Sequence, residues 1–245
     1  MASIPSTALA AQPLTFAHER TVPVHPVLAP VVGSGLVRGQ TVMCTGPASM
    51  SCAIALLVAP TQRGSWAAVV GAPFFGVLAA ADMGVVLDRT VFVDDPFRVG
   101  ADPANVLGAL VDGFDIVVTS ADFVSSLAPS LVRRFTSRLQ SRGAVCIVVD
   151  HTRLVSADLC VDTDVHSWNG IGDGHGRLCA RRVSIGVDGR RHRHGRGDRP
   201  TRCDVWLPGP SGRLEEVHPA SEESDTADVA ENVVDDSAVR LRVVS

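Results

Sequence analysis

The sequence predicts an α/β fold: a three-layer sandwich with a mostly parallel central sheet and an antiparallel extension in its C-terminal part. Three observations lead there. Between residues 41 and 150, short apolar runs alternate with helical patterns, the order that places helices on both faces of a parallel sheet. Most of the runs are apolar nearly throughout, as strands buried on both faces are. After 150 the rhythm changes. ADLCV, RLCARRVSIGV, TRCDVWLP and GRLEEV are shorter strand candidates with Gly-rich or Arg-rich connections, which suits antiparallel strands at one sheet edge.

Each element has a local reason. TVMCT (41–45) is the first strand, and it runs into SMSCAIALLVAPTQRG, a helical stretch closed near Arg63-Gly64. WAAVV (66–70) is the second. After Gly71-Ala72-Pro73 a helix spans 74–83 and stops at Gly84. TVFVDD (90–95) is the third strand. Asp102 then caps a helix through NVLGALVDG, with Pro103 suited to its first turn. DIVVT (115–119) is the fourth strand. The helix after it, PSLVRRFTSRLQSRG, puts Leu131, Val132, Phe135 and Leu139 on one face and Arg133, Arg134 and Arg138 largely off it. AVCIVVD (144–150) is the fifth.

With 245 residues, 46% of them hydrophobic, the chain can bury a sizeable core. Residues 1–20 read as a disordered N-terminal segment, 21–218 as one core domain, and 219–245 as an acidic, disordered tail. Residues 215–236 carry nine Asp or Glu and no Arg. The chain has no Tyr and no Lys, so all 22 basic residues are Arg. A GC-rich genome produces that bias. Its chemical consequence holds whatever the cause: no residue can act as a phosphate-binding, Schiff-base or general-base lysine.

The six Cys (44, 52, 146, 160, 179 and 203) show no C-x-x-C and no zinc spacing, so no metal site is expected and a reducing cytoplasm suits them. MASIPSTALAAQP lacks the basic and apolar regions of a signal peptide. The longest uncharged run, 64–81, is divided by Gly71-Ala72-Pro73 into strand and helix, so a cytoplasmic protein without a membrane span is expected.

The stretch GPASMSCA (46–53) has the outline of a phosphate-binding loop without its working parts. The motif G-x-x-x-x-G-K-[ST] needs a second Gly for close backbone approach, a Lys for the phosphates and a hydroxyl for magnesium. Gly46 is kept, but Ser51, Cys52 and Ala53 fill the last three positions. The magnesium-associated carboxylate of a later strand is also missing, because DIVVT ends in Thr119.

From about residue 25 to 155 the order of features resembles the RecA recombinase core. GSGLVRGQTVMCTGPASMS is similar to that family's Gly-rich lead-in, strand and loop, including Gly46-Pro47 and Ser49. RGSWAAVVGAPFFG, ADMGVVLDRTVFVDDP, GFDIVVTS and AVCIVVDH resemble its following strands, with Asp150-His151 at the polar sensor position. A RecA-type ATPase carries a Glu just after the second strand. Pro73 lies there and cannot act as a base. Within this superfamily a degenerate loop on a short Arg-rich chain looks most like the actinobacterial ImuA-type mutasome accessory proteins. WNGIGDGHGRLCARRVSIGV and DVWLPGPSGRLEEV are similar to that branch.

The resemblance implies a RecA-like fold and a non-catalytic accessory role in damage-induced, error-prone translesion synthesis. It implies two partners: an inactive Y-family polymerase homologue and an error-prone replicative-type polymerase. No cofactor, catalytic residue or nucleotide-binding residue is expected. Two other readings share the fold: a SulA-like cell-division inhibitor that binds a polymerising GTPase, and a weak DNA-dependent ATPase.

The remaining candidates are contact residues. Residues 177–213 hold ten Arg against three Asp, a charge suited to DNA phosphates or an acidic partner. Arg177, Arg181, Arg182, Arg190, Arg191 and Arg193 are the candidates, with Trp168 and His175 beside them. The adjacent pair Arg181-Arg182 should point to opposite faces of a strand. His192 and His194 lack a third metal ligand nearby.

Overall fold

The computed structural model describes residues 21–172, 175–189 and 202–217. The expected N-terminal segment (1–20) and tail (219–245), with Arg190, Arg191 and Arg193, lie outside them. A short ribbon opens the fold: β1 (Thr21–Pro23) pairs antiparallel with β2 (Gly35–Val37), and a one-turn helix α1 (Ala29–Val32) lies between them. Then come β3 (Thr41–Thr45), α2 (Ser49–Gln62), β4 (Ala67–Val70), α3 (Val77–Met83), β5 (Thr90–Val93), α4 (Pro96–Val99) and α5 (Pro103–Gly113). The chain continues with β6 (Ile116–Ser120), α6 (Ala121–Ser126), α7 (Pro129–Arg142), β7 (Val145–Val149), β8 (Leu159–Gly172), β9 (His175–Gly189), β10 (Arg202–Trp206) and β11 (Glu215–Glu216).

One nine-stranded sheet, in the order β11-β10-β9-β8-β3-β7-β6-β4-β5, organises the rest. From β8 to β5 every neighbouring pair is parallel; β9, β10 and β11 extend the β8 edge antiparallel. Residues of α1, α2 and α3 share one core with one face of the sheet, and residues of α5, α6 and α7 share a second core with the other. This is the three-layer arrangement the sequence predicts. The strands β4 and β7 alternate their side chains between the two cores, which is why they are apolar throughout.

The antiparallel part follows a different rule. Val183, Ile185, Val205 and Leu207 enter the first core. Intervening positions carry charge: Arg202 pairs with Asp162 at 2.9 Å, and Arg182 with Asp204 at 3.0 Å. One covered and one charged face give the polar alternation that distinguishes β8 to β10 from the other strands.

Several elements differ from the expected pattern, among them the β1–α1–β2 ribbon and α4, which the sequence pattern does not assign. The helix expected from 74 begins at Val77, because Phe75 turns into the first core and Gly76 sits in extended backbone as the cap. The single-turn α6 was not foreseen; the Ser120 hydroxyl accepts a bond from the Phe123 amide and starts it. Asp102 and Pro103 open α5 as expected, with the Asp102 carboxylate accepting from the Ala104 amide at 3.0 Å. Among the described residues no helix is long and apolar enough to cross a membrane.

Two predictions test this core. Leu56 on α2 is fully buried and Leu78 on α3 is exposed, so Leu56→Ala should cost ~2–5 kcal/mol in urea unfolding and Leu78→Ala no more than ~0.5. Burial pushes the Cys146 thiol up to about 12. The folded state then holds a proton that the unfolded state releases, so its contribution is full below the unfolded thiol pKa. Stability should fall as pH rises from ~9 towards ~12, and Cys146→Ala should flatten that fall in unfolding midpoints.

Candidate functional site

Ligands of open α/β sheets bind at the carboxyl ends of the strands, and here that rim is formed by the ends of β3, β7, β6 and β4. Only Gly46, Pro47 and Ala48 separate β3 from α2. A phosphate loop in the same frame keeps its first residues as a cradle and opens its helix near the Lys. In this chain the helix has already begun at Ser49.

The short loop is closed by β8. Gly46 has φ +88°, and a Cβ there would collide with the Thr163 carbonyl. The Thr163 hydroxyl donates to the Thr45 carbonyl at 2.7 Å and accepts from the Ala48 amide at 3.0 Å. The Ser49 amide donates to the Gly46 carbonyl at 3.1 Å. The Ala48 and Ser49 amides, two of the backbone groups that could face a phosphate, are therefore bonded within the protein.

Two carboxylates flank this loop. Asp150, held at φ +69°, accepts from the Ser49 hydroxyl at 2.7 Å, and Asp162 accepts from the Thr45 hydroxyl at 3.1 Å. Negative charge at these points opposes a second anion.

A guanidinium supports the same loop from inside. Arg181 of β9 is only 8% exposed. Its Nη2 donates to the Ser51 hydroxyl at 2.7 Å, its Nε donates to the Leu207 carbonyl at 2.9 Å, and it stacks under Trp168 with 4.9 Å to the ring centroid. Burial lowers its pKa, and the three contacts replace part of the lost water. Arg181 thus joins the antiparallel strands to the first turn of α2.

The positions of the degenerate motif separate in space. Ser49 and Ser51 face polar partners, whereas Cys52 and Ala53 are fully buried. Cys52 lies beside Cys44, and its side chain together with burial pushes the Cys44 thiol well up. Thr119 is buried, and its hydroxyl has no partner among the described residues. Pro73 lines a separate cavity of about 260 Å³ between the ends of β4 and β5. No group of three or more metal-ligating side chains exists among the described residues.

The contact candidates also divide. Arg181 points inward and Arg182 reaches Asp204 on the charged face, so the pair does straddle the strand. Arg177 and Trp168 are exposed on the β8–β9 hairpin, and His175 begins β9. Thr163, Asp162 and the inward role of Arg181 were not legible as site features, since each depends on strand pairing across more than a hundred residues.

The loop closure has a direct test. Thr163→Val leaves the buried Ala48 amide without an acceptor and should cost ~1–3 kcal/mol, while Thr163→Ser should largely retain stability. Gly46→Ala should be worse than either in the same urea titration, since it combines a clash with positive φ.

Comparison with known proteins agrees with this architecture. The KaiC-like protein PH0186 of the archaeon Pyrococcus horikoshii superposes with a TM-score of 0.56 over 82% of this chain and 99% of its own, at 14% identity. The fold is RecA-like. The uncharacterised protein Rv3395c of Mycobacterium tuberculosis is 30% identical over 176 residues, covering 69% of this chain and 79% of that protein. Residues 29–153 match the MT3502 N-terminal domain model. With that match over half of the chain and that relative beside it, the chain belongs to the MT3502 family.

Proposed function

We propose that this protein is a non-catalytic, ImuA-type accessory protein of error-prone translesion synthesis that works by protein contact. The observation that carries the non-catalytic reading is the loop that Thr163 closes: its amide is already bonded, its flanks are acidic, and the chain has no lysine. The partners, an inactive Y-family polymerase homologue and an error-prone replicative-type polymerase, rest on the sequence resemblance. An exposed apolar surface supports a contact role. Phe74 (86% exposed) and Leu78 (76%) lie on and after the β4–α3 turn, and Phe92, Phe97 and Val99 are also exposed on β5 and α4.

Mg-ATP binding should be weaker than ~1 mM by isothermal titration, the regime of a few kcal/mol. Micromolar affinity would overturn the reading and favour the ATPase. Rebuilding the motif with Ser51→Gly, Cys52→Lys and Ala53→Thr should recover no hydrolysis, because positions 52 and 53 are buried and Pro73 supplies no base. Affinity purification from DNA-damaged cells should return the two polymerase-type partners, and Phe74→Asp with Leu78→Asp should remove them without unfolding the chain. Recovery of a polymerising GTPase in their place would favour the SulA-like inhibitor.

A further inference from the structure

The outer groove between α5 and α7 joins an arginine wall to an apolar floor. Arg134, Arg138 and Arg142 recur at four-residue intervals on α7, so they lie about 6 Å apart along the helix. Leu107, Leu131 and Phe135 line the same cavity of about 630 Å³. No acidic residue occurs on α7. Asp112, at the end of α5, pairs with both Arg138 and Arg142. The Arg138 contact holds the Asp112 carboxyl below the usual range. One carboxylate facing three guanidiniums leaves the wall with two positive charges in excess, and no ion pair among the described residues uses Arg134.

We propose that this groove is the docking site of the chain's own acidic segment, residues 228–236. The segment carries four carboxylates and no basic residue. Asp228, Glu231 and Asp235 recur every three or four residues, which matches the interval of the arginines. Val229, Val233 and Val234 lie among them and supply apolar cover for the floor. A phosphate backbone would satisfy the arginines and leave that floor wet.

The chain length permits the reach. The described chain stops at Val217, just past the edge strand β11. α7 shares its core with β6 and β7, five to six strand spacings from β11, or ~24–29 Å. Residues 218–227 span up to ~33–36 Å when extended. The inference stands apart from the translesion reading, since it concerns how this chain covers its own surface.

Hydrogen–deuterium exchange on the full chain tests it. At ~20 mM salt the amides of 228–236 should exchange at least ~5-fold more slowly than in the free peptide of the same sequence. Protection should vanish at ~0.5 M salt, and also in Arg134→Glu, where no described ion pair is lost. Adding Asp228→Arg and Glu231→Arg to Arg134→Glu should restore it. If Arg134→Glu unfolds the chain, Ser137→Glu on the same wall makes the same test. Random-coil exchange in the unmodified chain at low salt would overturn the proposal, as would protection indifferent to both salt and Arg134→Glu. Protection lost on hundred-fold dilution would assign the groove to a second copy and overturn it equally.

Discussion

β8 joins β3 in parallel, with Val42 opposite Leu159 and Thr45 opposite Asp162, and this register controls the rim of the sheet. It sets Thr163 against the Gly46 turn and Asp162 against the Thr45 hydroxyl. It also commits β8 to carry the antiparallel strands, because β3 is then paired on both sides. A slip of one residue would turn Val161 out of the first core and Asp162 into it, so the burial of Val161 enforces the pairing.

The polar interactions around that register form a chain of support. Asp150 holds Ser49, Thr163 holds Ala48, and Arg181 holds Ser51, so three consecutive parts of the loop-to-helix passage are each fixed by a different strand or strand end. Ordinary nucleotide-binding loops leave these groups free for a ligand. Here their hydrogen-bonding capacity serves the fold, and the lysine that would demand an anion is absent from the whole chain.

The parallel strands were legible because burial on both faces leaves a bare apolar run, and TVMCT, AAVV and VCIVV stand where the sequence places them. The hairpin β8–β9 was legible only in pieces. Asp162, Asp164 and His166 break its apolar run because one face of that ribbon is charged or exposed, and the buried Thr163 breaks it on the other face, where it bonds the Gly46 turn. Helix α6 is too short to show a period. Of the site, the missing lysine, Thr119 and Pro73 could be read directly. The loop closure by Thr163 could not, since a threonine between two aspartates has no signature until topology brings it to Gly46.

The outer edge strand β5 has the sequence Thr-Val-Phe-Val and, among the described residues, pairs with β4 alone. Val91 and Phe92 point to opposite faces of the sheet, and both are exposed. Sheet edges are normally blunted by a charge, a proline or a bulge within the strand, and β5 carries none of these. The colloidal behaviour of the chain is therefore tied to that strand. Left bare, it is a ready template for strand addition between copies.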